Sequence, residues 1–208
     1  MPIGIGLLGL GTVGAGVAEI LLSPQGRHPL VADLELRQVA VRDLNRPRPI
    51  PLSNSLLTTD PAAVVANPDV DLVVEVMGGL EPARSLILAA IDAGKAVVTA
   101  NKAVIARHGA EIAAAAAEKG VYVLMEAAVG GGIPILEPLK QSLGGNRIER
   151  VSGIINGTTN YSGVFAEQVG IEGMWEVAKY IRGLVASDSD VIELTPKPVQ
   201  NETHAVSA

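Results

Sequence analysis

Gly9-Leu10-Gly11-Thr12-Val13-Gly14 is the segment that most restricts how this chain folds. An apolar run, Ile3–Leu8, precedes it, and Val13–Leu22 follows with the pattern of a helix. Each glycine then has its own task. Gly9 permits a tight turn out of the strand. Gly11 removes a side chain where a pyrophosphate would approach the backbone. Gly14 lets the helix pack closely on the strand. The amides at the helix N-terminus face the same point, and the helix dipole favours negative charge there. A glycine turn without a ligand would also satisfy the pattern. The strand before it and the helix after it favour a dinucleotide-binding loop.

The rest of the chain repeats this alternation. Strands are expected at Leu34–Val41, Leu72–Val76, Ala96–Thr99, Val121–Met125 and from Val151 to Ile155. Helices are expected at Asp60–Ala66, Glu81–Ala93, Val104–Lys119 and Ile135–Ser142. Asp60 before Pro61 is an N-cap with proline in the first helical position. Short connections between buried strands and crossover helices give a mostly parallel sheet covered on both faces. The expected class is therefore α/β, doubly wound and Rossmann-like. This domain should occupy residues 1–150, followed by a short divergent appendage over 151–194 and a loose, proline-containing tail over 195–208.

Composition narrows the functional classes. The 208 residues are 48% hydrophobic with a net charge of −6, which excludes an intrinsically disordered chain. Only 2% are aromatic, so the core must be built from Ala, Val, Leu and Ile. With no cysteine there is no disulfide framework and no thiolate metal site, and the composition fits a reducing, cytoplasmic setting. Mild acidity argues against a protein that grips nucleic acid or an anionic membrane. Glycine density and Glu19 argue against reading residues 3–22 as a membrane span. The expected partner is a small molecule; oligomeric state is left open.

Chemistry is expected where parallel strands end, because ligands bind beyond their carboxyl ends. After the second strand, Arg42 suits a 2′-phosphate through its fork of donors, while Asp43 suits ribose hydroxyls. Arg46 and Arg48 nearby tilt the reading toward NADP over NAD. After the third strand, Gly78 and Gly79 allow close backbone approach, and Glu75 is either a structural acid or a pocket residue. After the fourth, Lys102 is placed to move a proton or to bind a phosphate or substrate oxygen. After the fifth, Gly130, Gly131 and Gly132 expose carbonyls that suit a hard cation such as sodium, or form a flexible loop. Asn156 and Thr158, in Ile154-Ile155-Asn156-Gly157-Thr158-Thr159-Asn160-Tyr161, either cap a helix or touch a polar substrate. The three histidines show no metal spacing.

Taken in order, GLGTVG, VRD, EVMGG, TANKA, EAAVGGGIPI and INGTTNY resemble homoserine dehydrogenase over residues 1–161. That resemblance implies NAD(P)H-dependent interconversion of L-aspartate 4-semialdehyde and L-homoserine, in the threonine and methionine branch of amino-acid biosynthesis. It implies that Gly9, Gly11, Thr12, Val13 and Gly14 hold the pyrophosphate, and that Arg42 lies near the 2′-phosphate. Lys102 would lie beside the nicotinamide and the reacting carbon. Glu126, Val129, Gly131 and Ile133 would form a sodium site, largely through backbone carbonyls. Gly130, Gly131 and the NGTTNY segment would approach substrate.

Beyond Tyr161 the sequence departs from the family pattern. The family's G-x-x-E-x-D-P segment and D-x-x-x-K helix, which hold the substrate amino group and supply a general acid, are not recognisable in SGVFAEQVGIEGMWEVAKYIRGL. Lys179 does not match that helix. An alternative expectation is therefore a truncated, non-catalytic NADP-binding homologue without a substrate site. A purely structural module is disfavoured by the intact glycine loop.

Overall fold

The computed structural model describes residues 2–48, 50–129 and 135–147. These form a parallel six-stranded sheet in the order β3-β2-β1-β4-β5-β6. The strands are β1 (Ile3–Leu8), β2 (Leu34–Ala40), β3 (Leu57–Thr58), β4 (Leu72–Glu75), β5 (Ala96–Thr99) and β6 (Val123–Leu124). The helices are α1 (Thr12–Leu22), α2 (Pro61–Ala66), α3 (Ala83–Asp92), α4 (Lys102–Lys119) and the short α5 (Glu126–Val129). This is the expected doubly wound class, and the strand order reverses direction between β1 and β4.

Alternation along β1 sorts its side chains onto two faces. Leu8 joins Val64 and Val65 of α2, Leu86 and Ile87 of α3, and Ile105 and Ile112 of α4 in one core. Ile5 and Leu7 join Ala18 of α1, Leu36, Val39 and Val74 in the other. Both faces of a parallel sheet must be covered, which is why its strands read as apolar runs. The helix on the first face packs close. A methyl group at Gly6 would lie 2.7 Å from a Val64 methyl, so this strand position takes glycine. The aliphatic core anticipated from composition is what fills both layers.

Helix boundaries follow local chemistry. Asp60 caps α2 as expected, its carboxylate accepting from the Ala62 amide at 2.9 Å. Gly120 ends α4 in the left-handed conformation with its amide bonded back into the last turn. Several elements differ from expectation, β3, α3 and the Pro138–Ser142 turn among them. β3 falls between the second expected strand and the Asp60 helix, where no element was expected, and it forms because Leu57 and Thr58 pair with Val39 and Ala40. α3 starts at Ala83 instead of Glu81, after a cis Glu81–Pro82 peptide bond. Residues Pro138–Ser142 wind as a π-helical turn, with Leu143 donating to the Pro138 carbonyl at 3.1 Å. The strand expected from Val151, and the appendage and tail over 151–194 and 195–208, lie outside the described residues. Among the described residues no helix is long and apolar enough to cross a membrane.

Candidate active site at the carboxyl edge of the sheet

The strand order reverses between β1 and β4, the point at which a doubly wound sheet leaves a ligand crevice beyond its carboxyl ends, and the glycine loop follows β1 there. Gly9 has a φ of 101°, a backbone state that favours glycine. A methyl group there would lie 3.0 Å from the Val76 carbonyl oxygen, at the end of β4. At Gly14 a methyl group would meet the Gly9 carbonyl oxygen at 2.2 Å, so α1 can approach β1 only through glycine. Gly11 is different in kind. Nothing lies within 4 Å of a methyl group built there, so its lack of a side chain leaves open space. Gly11 is also the N-cap of α1 and offers no side-chain oxygen to the first-turn amides. Thr12 and Val13 are exposed, Val13 by 54%, although valine is normally drawn inward. An open helix N-terminus with no acidic residue in its first turn suits an anion. These features fit the pyrophosphate of a dinucleotide.

On the β2 side, Arg42 and Asp43 follow the strand, and the Gly9 amide donates to the Ala40 carbonyl at 3.1 Å. The neighbouring groups are tied into the loop. Arg48 donates to the carbonyls of Asp43 and Leu44 at 2.6 and 3.0 Å. Asp43 accepts from the Asn45 amide at 2.9 Å. Arg42 is exposed and takes no part in that closure.

On the β4–β5 side lies a polar network inside the apolar layer. Glu75 is fully buried. Its Oε1 accepts from the Met77 amide at 2.8 Å and from Asn101 Nδ2 at 3.4 Å. Its Oε2 accepts from the Thr99 hydroxyl at 2.7 Å. Thr99 Oγ1 in turn accepts from the Asn101 amide at 3.0 Å. Asn101 Nδ2 also donates to the Gly79 carbonyl at 2.8 Å, and its Oδ1 accepts from the Val104 amide at 3.2 Å, capping α4. Glu75 is therefore a structural acid with its needs met, of the two readings the sequence left open. Gly78 and Gly79, with φ of 75° and 79°, form the turn that this network holds. Lys102, half-buried, occupies the first position of α4 directly after the cap.

Thr99 and Asn101 were not singled out as site-building residues from sequence, and α4 was expected to start at Val104. The preference of asparagine for N-cap positions was the available signal.

Beyond β6, Glu126 opens α5, and its carboxylate accepts from the amides of Ile135, Leu136 and Glu137, the latter two at 3.0 and 2.8 Å. The side chain thus serves the chain's own backbone. Among the described residues no cluster of three or more His, Asp or Glu side chains could hold a metal. Gly130, Gly131, Ile133, Asn156 and Thr158 lie outside the described residues.

Comparison with known proteins agrees with this geometry. The family model for the homoserine dehydrogenase NAD binding domain matches residues 9–126, and the homoserine dehydrogenase model matches residues 134–173. The homoserine dehydrogenase of Synechocystis is 65% identical over 161 residues, covering 77% of this chain and 37% of that protein. The Corynebacterium glutamicum enzyme is 48% identical over 161 residues, covering 76% and 36%. A crystal structure of homoserine dehydrogenase from Thiobacillus denitrificans superimposes with a TM-score of 0.61 at 48% identity, covering 77% of this chain and 38% of that one. The chain thus spans little more than a third of the length of the curated relatives it matches.

Proposed function

Because the chain belongs to the homoserine dehydrogenase family, we propose that its carboxyl-edge crevice binds NADP(H) and carries the interconversion of L-aspartate 4-semialdehyde and L-homoserine. The observation that carries this reading is the open space at Gly11 beside an uncapped α1 N-terminus, with Lys102 on the same edge of the sheet.

A dinucleotide laid across the β1/β4 reversal has its pyrophosphate at the amides of α1. Its adenosine half falls on the β2 side, toward Arg42, and its other half on the β4–β5 side, toward Gly78, Gly79 and Lys102. The nicotinamide, when bound, supplies the hydride chemistry. The chain's own work is to hold the reactants in line and to handle the proton. The Gly78-Gly79 turn brings backbone close to the cofactor without side-chain bulk. Lys102 hydrogen-bonds the carbonyl oxygen of the substrate and stabilises, or protonates, the alkoxide that develops there. NADP is favoured over NAD because Arg42 is open to a 2′-phosphate while Asp43 and Arg48 are engaged in their own loop. A sodium ion on the Glu126 and Val129 carbonyls, with Gly131 and Ile133, belongs to this reading, as do Gly130, Asn156 and Thr158 at the substrate.

The test is a turnover assay of the purified chain with aspartate 4-semialdehyde and either NADPH or NADH. Substrate-dependent oxidation, faster with NADPH at limiting cofactor, is the expected result. In the same assay Arg42→Ser is expected to lower kcat/KM for NADPH about tenfold while leaving that for NADH nearly unchanged. Cofactor binding without turnover would instead support the non-catalytic alternative.

A further inference from the structure

Glu75 takes no direct part in the chemistry described above, yet it is the most buried acid at the crevice. Burying a carboxylate is costly unless donors surround it. Here they come from three separate places: the start of the Met77–Gly79 turn, the end of β5, and the cap of α4. Each donor belongs to a segment at the carboxyl edge of the sheet. The same Asn101 amide group that reaches Glu75 also holds the Gly79 carbonyl, and its partner oxygen holds the first turn of α4. The turn and the lysine-bearing helix start are therefore fixed to one another through one side chain. Among the described residues the β2 side, with Arg42, shows no bond into this network.

We propose that Glu75 is a positioning residue for the nicotinamide half of the cofactor: its carboxylate locks the Gly78-Gly79 turn and the Asn101-Lys102 start of α4 into one arrangement. The proposal rests on the crevice being the dinucleotide site. It assigns Glu75 a selective effect. Loss of the carboxylate loosens the β4–β5 side and leaves the phosphate loop and Arg42 side intact.

Two variants separate this from a general contribution to folding. In Glu75→Gln one oxygen remains an acceptor, but the other becomes a donor facing the Thr99 hydroxyl, whose proton then loses its acceptor. Thr99→Val removes the hydroxyl at nearly constant shape, and Thr99→Ser restores it. The measurement is equilibrium binding of two ligands to the full chain: NADPH, and adenosine 2′,5′-bisphosphate, which carries the adenosine half alone. For Glu75→Gln and Thr99→Val the NADPH Kd is expected to rise about tenfold. The bisphosphate Kd is expected to stay within about twofold of wild type, and Thr99→Ser to resemble wild type for both ligands. Equal weakening of both ligands would overturn the proposal, because the carboxylate would then serve only the fold; so would an unchanged NADPH Kd. Should Glu75→Gln fail to fold, the ratio for Thr99→Val decides on the same terms. Wild-type chain that binds neither ligand would remove the cofactor reading itself, and this inference with it.

Discussion

Alanine at Gly11 and alanine at Gly14 are expected to fail in opposite ways. Both residues belong to one loop and either substitution adds one methyl group. At Gly11 the methyl enters open space. The fold should keep its Tm within a few degrees, because nothing in the protein is displaced and the loss of glycine's advantage over alanine at an N-cap costs only about 1 kcal/mol or less. The same methyl occupies the space reserved for the pyrophosphate, so NADPH affinity should fall about a hundredfold or more. At Gly14 the methyl meets the Gly9 carbonyl oxygen at 2.2 Å, a backbone atom of a turn that itself has a φ of 101°. No rotamer change relieves it. Either α1 moves away from β1 or the Gly9 turn deforms, at a cost of several kcal/mol by the usual toll of overpacking. Thermal melts and NADPH titrations of the two variants check this pair. Gly11→Ala that melts early, or that binds NADPH normally, would contradict the assignment of that space.

Lys102→Met should be the strongest purely chemical lesion. Methionine keeps most of the aliphatic length and removes the ammonium group. If Lys102 supplies the hydrogen bond or the proton at the reacting oxygen, kcat should drop about a hundredfold or more, while the NADPH Kd changes by less than about threefold. Steady-state kinetics with a parallel binding titration separate the two quantities. A kcat near wild type would move the proton donor elsewhere.

Much of this site is legible in the sequence because its constraints are local. The glycine loop declares itself by its spacing within six residues, Gly9 to Gly14, and the contact of Gly14 with the Gly9 carbonyl is local to it; the strand before it reads as an apolar run. The positions after each strand could be named because ligands gather at strand ends in any parallel sheet. What could not be read is set at long range. β3 is two residues long and exists by pairing with β2. No periodicity can signal an element that short. The role of Glu75 stayed open because its partners, Thr99 and Asn101, are 24 and 26 residues away, and only the sheet order brings them together. α4 starts two residues earlier than its apolar pattern suggests because the Asn101 side chain caps it, and α3 starts two residues later, at Ala83.

The central claim is that the carboxyl edge at the β1/β4 reversal is a dinucleotide site, and a crystal structure of the chain grown with NADP⁺ tests it most directly. The pyrophosphate is expected within hydrogen-bond distance of the amides of Thr12, Val13 and Gly14, over the open face of Gly11. The 2′-phosphate should then lie at Arg42, and the nicotinamide beside Gly79 and Lys102. NADP⁺ bound elsewhere on the chain, or bound here with its adenosine half on the β4–β5 side, would contradict the account.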